Sequence, residues 1–176
     1  ESCDNAYTKC YDLELNRPRV PEHQPEGDIT IPYGIPGIDD GKQYVKQQEY
    51  ASCKKVDTYW MPDSILGIER EAFAYNTNLG KIELSNKLTN IGENAFAGPN
   101  EITDIYFPAT LTHIANKGFR RCENLQKVFL NYGLTTLGKS AFFAQSENPK
   151  MEVFFVPATL RRIDRFVITG QNNLKR

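Results

Sequence analysis

The chain has 176 residues, of which 40% are apolar, and its 21 basic and 22 acidic residues give a net charge of −1. These values predict one globular domain with a substantial core, and the balanced charges provide no basic field for nucleic acid. No apolar run reaches the ~20 residues that a membrane-spanning helix needs. The first ten residues, ESCDNAYTKC, are polar, so we expect any secretion signal to have been removed already.

The N-terminal part of the chain is less regular than the rest. Residues 1–26 contain three prolines and predict an extended arm. In residues 27–53, ITIP at 29–32 predicts a strand ended by proline, and VKQQEYASC at 45–53 matches IEREAFAYN at 68–76. We interpret residues 27–53 as a degenerate repeat that caps the core.

Residues 54–176 repeat with a period of 23 residues. Steps of 23 from Phe96 reach Phe73 and Tyr50 in one direction, and Phe119 and Phe142 in the other. Five more apolar columns keep this phase; they begin at Ile65, Ile68, Val56, Tyr59 and Met61. An insertion of three residues near SENPK lengthens the last repeat, so PATL at 108–111 returns 49 residues later at 157–160. The pattern predicts about five repeats, with a further one beginning near Leu174.

Each repeat reads L-x-x-I-x-L/F-P-x-x-L-x-x-I-G-x-x-A-F. The alternation in LGKIEL or LQKVFL predicts a strand with one buried face, which a proline ends in several repeats. LTNI and LRRI predict a second short strand, and the remaining residues allow only a short helical or irregular turn. Stacked repeats predict a right-handed, horseshoe-like leucine-rich-repeat solenoid with a parallel β-sheet. We expect the Phe96 column to form its continuous aromatic spine.

The repeat resembles the BspA-like class of leucine-rich repeats. The resemblance covers about 27–174 and is clearest in LTNIGENAF, LTTLGKSAF and ILGIEREAF. Single turns depart from the family pattern at Ser85, Asn131, Ala115, Gly118 and Ile168. The resemblance implies a secreted or cell-surface protein, lipid-anchored in the precursor of some members. It also implies adhesion to host proteins or other cells, with no enzymatic activity, catalytic residue or cofactor.

The segment GLTTLGKS at 133–140 matches the phosphate-binding loop pattern G-x-x-x-x-G-K-S. That loop needs backbone amides that are free to face phosphate, between a buried strand and a helix. Leu134 and Leu137 belong to two apolar columns, so we interpret the segment as core packing. No nucleophile elbow is present, and the chain has only two histidines, one of them at an exposed repeat position in LTHI. We therefore predict no metal site.

The four cysteines fall into two groups. Cys53 and Cys122 are three repeats apart, or ~14 Å at ~4.8 Å per strand, whereas bonded cysteines need Cα atoms within ~7 Å. We expect both to be buried thiols. Cys3 and Cys10 can form a disulfide with each other in an extracellular chain.

The candidate ligand-binding residues lie on the outward side of the longer strands. One outward column contains Trp60, Glu83, Tyr106, Phe129 and Phe155. The column beside it contains Thr58, Lys81, Asp104, Lys127 and Val153, and its three charged residues alternate in sign, so we expect them to pair. The aromatic residues suit an anchor for a host or cell-surface protein or glycan. Alternatively, they are there because aromatics favour strands, and the N-terminal arm or a second copy covers them.

Two functions stay open on these grounds. The first is a non-enzymatic binding or adhesion module that uses the outward face of the sheet. The second is a structural spacer or repeat unit that self-associates through the C-terminal edge near Leu174, where unpaired strands are expected.

Overall fold

The computed structural model describes residues 43–98, 100–145 and 149–174, and the backbone of three strands in the N-terminal part. These three are β1 (Tyr11–Asp12), β2 (Arg17–Pro18) and β3 (Gly27–Thr30). β1 and β2 pair antiparallel, and β3, which overlaps the strand predicted at 29–32, lies parallel to β5. The rest of residues 1–42 lies outside the described part, so the division into an arm (1–26) and a cap (27–53) stays a prediction.

The described repeats form a parallel β-solenoid. Its longer strands are β5 (Val56–Trp60), β7 (Lys81–Glu83), β9 (Asp104–Tyr106), β11 (Lys127–Phe129) and β13 (Val153–Phe155). Its two-residue strands are β4 (Tyr44–Val45), β6 (Gly67–Ile68), β8 (Asn90–Ile91), β10 (His113–Ile114), β12 (Thr136–Leu137) and β14 (Arg162–Ile163). Both predicted strands of each repeat are therefore confirmed.

The strand register confirms the period and the insertion. The two-residue strands form one six-stranded sheet, in which Ile114 pairs with Ile91 and Leu137, each 23 residues away. In the last repeat the offset becomes 26, because Val128 pairs with Phe154. The longer strands form two sheets, β3-β5-β7 and β9-β11-β13. β7 and β9 are therefore not joined by a hydrogen-bonded ladder.

The third side of each repeat consists of tight turns, and the described residues include no helical segment. Each described repeat has one turn residue with a positive φ of 53–61°; these residues are Gln48, Glu71, Asn94, Lys117, Ser140 and Phe166. In five of the six repeats the residue four positions later also has a positive φ; these are Ser52, Tyr75, Gly98, Arg121 and Gly170. Beside them, backbone amides donate to the next repeat, as from Phe96 N to Gly118 O and from Phe119 N to Ala141 O, both 2.8 Å. Successive repeats are therefore hydrogen-bonded on all three sides of the solenoid, except that no strand ladder joins β7 to β9.

The predicted aromatic spine is confirmed. Tyr50, Phe73, Phe96, Phe119 and Phe142 stack along the solenoid, with successive ring centroids 5.5, 5.1, 5.0 and 5.1 Å apart. All five side chains are buried. Equivalent residues of successive repeats meet because each strand pairs with its counterpart one period away.

The last described repeat exposes residues that are buried in earlier ones. Ile163 and Ile168 are 55% and 36% exposed, whereas their counterparts Leu137 and Phe142 are 0% and 1% exposed. The difference arises because no described residues stack on the outer side of this repeat. Phe166, at the positive-φ position, is 53% exposed.

The cysteines only partly agree with the prediction. Cys122 is a buried free thiol, as expected. Its Sγ lies 3.2 Å from Phe96 O and accepts a hydrogen bond from Asn100 Nδ2 at 3.1 Å. Cys53 is disulfide-bonded, so the expectation of a thiol there was wrong. The spacing argument excluded only Cys122 as its partner. The cysteine bonded to Cys53 lies outside the described residues, and so does the predicted Cys3–Cys10 disulfide.

Candidate binding surface

Tyr106, Phe129 and Phe155 form a row of exposed aromatic side chains on β9, β11 and β13. The strand register pairs Phe129 directly with both of the others. Their exposed fractions are 72%, 40% and 40% respectively. Strand alternation explains this exposure, because the preceding residues on β9 and β11, Ile105 and Val128, point into the core and are buried.

Tyr132 adds a fourth aromatic side chain that sequence reasoning missed. It lies in the turn after β11, is 70% exposed, and its ring centroid is 6.1 Å from that of Phe155 in an edge-to-face arrangement. Its counterparts one and two repeats earlier are Ala109 and Asn86, so no aromatic column in the sequence indicated it. We call Tyr106, Phe129, Tyr132 and Phe155 the aromatic surface.

Trp60 lies on β5, in the other three-stranded sheet, and is 42% exposed. The Lys81 ammonium lies 4.9 Å from the centroid of its ring, within the range of a cation–π contact. Lys81 Nζ also lies 2.7 Å from Glu83 Oε1. One face of Trp60 therefore contacts a lysine of the same chain, and Glu83 occupies the position between Trp60 and Tyr106.

The predicted alternating charge ladder is wrong. β7 and β9 belong to different sheets, so Lys81 pairs with Glu83 and not with Asp104. Asp104 Oδ2 instead accepts a hydrogen bond from the Thr103 hydroxyl at 3.1 Å. Lys127 is in register with Asp104, yet neither forms an ion pair among the described residues. Both side chains are exposed beside the aromatic surface.

The two ends of the same predicted column contribute less. Thr58 is only 9% exposed, and Val153 is half-buried. The structure therefore brings together Tyr106, Phe129 and Phe155 with Asp104 and Lys127, and it leaves Trp60, Lys81 and Glu83 as a separate cluster.

The segment that matches a phosphate-binding loop is a corner of the solenoid. Leu134 and Leu137 are fully buried, as predicted. Gly138 N donates to Ile114 O, and Lys139 N donates to Asn116 Oδ1, both at 2.9 Å. These amides are committed to the neighbouring repeat, so they cannot cradle a phosphate.

The described residues contain no group of three His, Cys, Asp or Glu side chains that could hold a metal ion. They also include no helix with the length and apolar character needed to span a bilayer. His113 lies on β10 and is half-buried; burial and the nearby charge of Arg162 lower its pKa.

Comparisons with known proteins agree with this architecture. Residues 43–175 match the BspA type leucine rich repeat region in six copies. A leucine rich cell surface protein from Faecalibacterium prausnitzii is 26% identical with a TM-score of 0.63, over 73% of this chain and 31% of its own. A leucine-rich repeat protein from Bacteroides ovatus is 21% identical with a TM-score of 0.73, over 84% of this chain and 38% of its own.

A leucine rich repeat protein from T. pallidum is 19% identical with a TM-score of 0.58, over 84% of this chain and 78% of its own. No curated protein sequence matches the chain significantly. The region similar to this chain spans about a third of the length of the F. prausnitzii and B. ovatus proteins.

Proposed function

Because the chain belongs to the BspA-type leucine-rich repeat family, we propose that it is a non-enzymatic binding module that adheres to a partner through the aromatic surface. The partner is a protein on a host or on another cell. A glycan is the alternative ligand, and a glycan array distinguishes it from a protein partner. The carrying observation is that three aromatic side chains, in direct register on adjacent strands, are 40–72% exposed.

The composition of this surface supports a protein partner. Tyrosine and other aromatic side chains are enriched in the centres of protein interfaces and supply much of the binding energy there. The rings of Phe155 and Tyr132 meet at 64°, so they form an uneven surface and not one flat platform. Asp104 and Lys127, exposed beside the rings, provide charges of both signs that can select a complementary partner.

The proposed location is the cell surface or the secreted fraction. The F. prausnitzii protein that shares this fold is described as a cell surface protein, and an adhesive module acts only where it meets its partner. A lipid anchor in the precursor belongs to the same proposal and is supported by the family resemblance alone.

The test compares a double variant of the aromatic surface with a control variant at an exposed tyrosine elsewhere on the chain. Tyr106→Ala combined with Phe129→Ala removes the centre of the aromatic surface, whereas Tyr44→Ala removes an exposed tyrosine from β4 of the other sheet. Binding is measured by biolayer interferometry on host matrix proteins and by adhesion to cells, with a glycan array in parallel. The double variant is expected to weaken binding at least ~10-fold, as loss of hot-spot residues does.

Tyr44→Ala is expected to bind like the parent protein. Equal binding by the parent and the double variant would exclude the aromatic surface as the contact. Binding only to the glycan array, and lost in the double variant, would replace the protein partner with a glycan.

A second candidate function is assembly through the end of the last described repeat. Ile163, Phe166 and Ile168 form an apolar area there, and the outer edge of β14 has no strand paired to it among the described residues. Leu174 packs against the core near the same end. Such edges favour pairing with another chain. Light scattering should then show concentration-dependent oligomers that Ile163→Glu abolishes, and a monomer at high concentration would refute this function.

A further inference from the structure

A shallow groove of about 210 Å³ lies on the outward side of the six-stranded sheet. Its residues come from β10, β12 and β14 and from the turns that follow them. The small residues Ala115 and Gly138 form part of its lining. A Cβ at Gly138 would lie 2.5 Å from the backbone N of Asn116, so successive repeats approach closely at this point. The groove belongs to a different sheet from the aromatic surface.

Three polar side chains that line the groove have no partner in the described part of the chain. His113, Thr136 and Arg162 occupy equivalent positions on adjacent strands. None of the three side chains makes a hydrogen bond or ion pair with another described residue. The adjacent Thr135 behaves differently, because its hydroxyl donates to Thr112 O at 3.0 Å. The groove therefore concentrates polar groups that the fold itself does not use.

Asn116 and Asp164 also line the groove. Asn116 Oδ1 accepts a hydrogen bond from Lys139 N, which fixes the amide orientation and leaves Nδ2 available as a donor. Asp164 Oδ1 accepts from Arg165 N at 2.7 Å, so Oδ2 is the oxygen left to accept another hydrogen bond. Donors and an acceptor thus face the same small space.

We infer that this groove binds a hexuronic acid unit, with its carboxylate on the Arg162 guanidinium and its hydroxyl groups on Thr136, Asn116 and Asp164. Arginine recognises a carboxylate through two parallel hydrogen bonds. The groove carries one cation and one carboxylate, so it suits a monoanion better than a phosphate dianion. Its volume is below the ~300–1,000 Å³ of sites for drug-sized ligands, which favours a single sugar ring.

His113 fits the same ligand. Burial and the charge of Arg162 lower the pKa of its imidazole, so the ring is neutral near pH 7. A neutral imidazole has one nitrogen that donates and one that accepts, which matches a sugar hydroxyl. The inference goes beyond the proposed function and does not depend on the aromatic surface.

The experiment titrates the whole chain with D-glucuronate, D-glucose and acetate, observed through the backbone amide and imidazole signals in NMR. Glucuronate is expected to shift the signals of His113 and Thr136 and to bind at least ~10-fold more tightly than the other two probes, since both the charge and the ring are recognised. Equal affinity for acetate would show that the sugar ring is not recognised. Equal affinity for glucose would remove the role of Arg162, and either result, or no binding, overturns the inference.

Two arginine variants provide the matched comparison. Arg162→Gln is expected to weaken glucuronate binding at least ~10-fold, as the loss of a charge-assisted pair does. Arg165→Gln makes the same change at a neighbouring arginine that does not line the groove. This control variant should bind like the parent. Both side chains are exposed, so both variants are expected to fold. Unchanged binding in Arg162→Gln, or shifts centred on Tyr106 instead of His113, would refute the site.

Discussion

Replacing Phe119 with alanine tests the aromatic spine most directly. Phe119 is 1% exposed, and its ring centroid lies 5.0 Å from that of Phe96, 5.1 Å from that of Phe142 and 5.7 Å from that of Phe107. A buried Phe→Ala change costs ~3–5 kcal/mol because transfer free energy is lost and a cavity remains. Each lost aromatic pair adds ~0.5–1.5 kcal/mol beyond the buried area in double-mutant cycles.

The loss of unfolding free energy for Phe119→Ala should be ~4–5 kcal/mol, near the upper end of the range for a buried Phe→Ala change. The cavity cannot close easily, because the backbone on both sides is fixed to adjacent repeats. Phe119 N donates to Ala141 O, and Phe96 N donates to Gly118 O, both at 2.8 Å. Phe119→Leu also loses the aromatic pairs but leaves a smaller cavity, so it should cost less than Phe119→Ala.

The assay is urea unfolding followed by circular dichroism, with the free energy of unfolding obtained by linear extrapolation. Phe129→Ala is the matched control, since Phe129 has the same side chain but is 40% exposed on the outward face. Its cost should be ~1 kcal/mol or less. The packing argument fails if Phe119→Ala costs no more than Phe129→Ala.

Three further predictions concern backbone strain, the buried thiol and the histidine. Lys117 has a φ of 58°, so Lys117→Gly should raise the melting temperature, whereas the β-branched Lys117→Val should lower it; the reverse order would contradict left-handed strain. Burial raises the pKa of Cys122 to about 12, so iodoacetamide at pH ~8 should label it only after unfolding; rapid labelling of the folded chain would contradict its burial. His113 has a lowered pKa, so its NMR midpoint should lie below ~6.5 and stability should fall as pH drops through that value, because the unfolded state then binds more protons. Arg162→Gln should raise the midpoint only partly, since burial is the larger cause, and full return to the ordinary value would contradict this.

The sequence predicted the inward columns because burial restricts their residue types. Phe96 and Phe119 are 23 positions apart, and the structure stacks their rings in the spine. Backbone geometry was less accessible, since most positive-φ positions are occupied by residues other than glycine, such as Glu71 and Lys117. Hydrogen bonds to the next repeat hold these residues in that conformation, so tertiary structure overrides local propensity there.

The outward contacts were harder to predict than the core. The exposure of Tyr106 and Phe129 follows from strand alternation. The ion pair of Lys81 with Glu83 does not follow from strand alternation, because this pairing depends on the interruption of the sheet between β7 and β9. Tyr132 joins the aromatic surface through a turn, and a turn has no period that would indicate its direction.

The outward column itself supports a binding role. In a solenoid, stacking restricts the inward residues of each repeat, whereas an outward position needs only a residue that suits a strand. Threonine would meet that requirement at the positions of Tyr106, Phe129 and Phe155 without exposing apolar area. Three successive repeats nevertheless carry exposed aromatic rings there, in direct register. Core packing does not require these rings, whereas binding to a partner that covers them would require them.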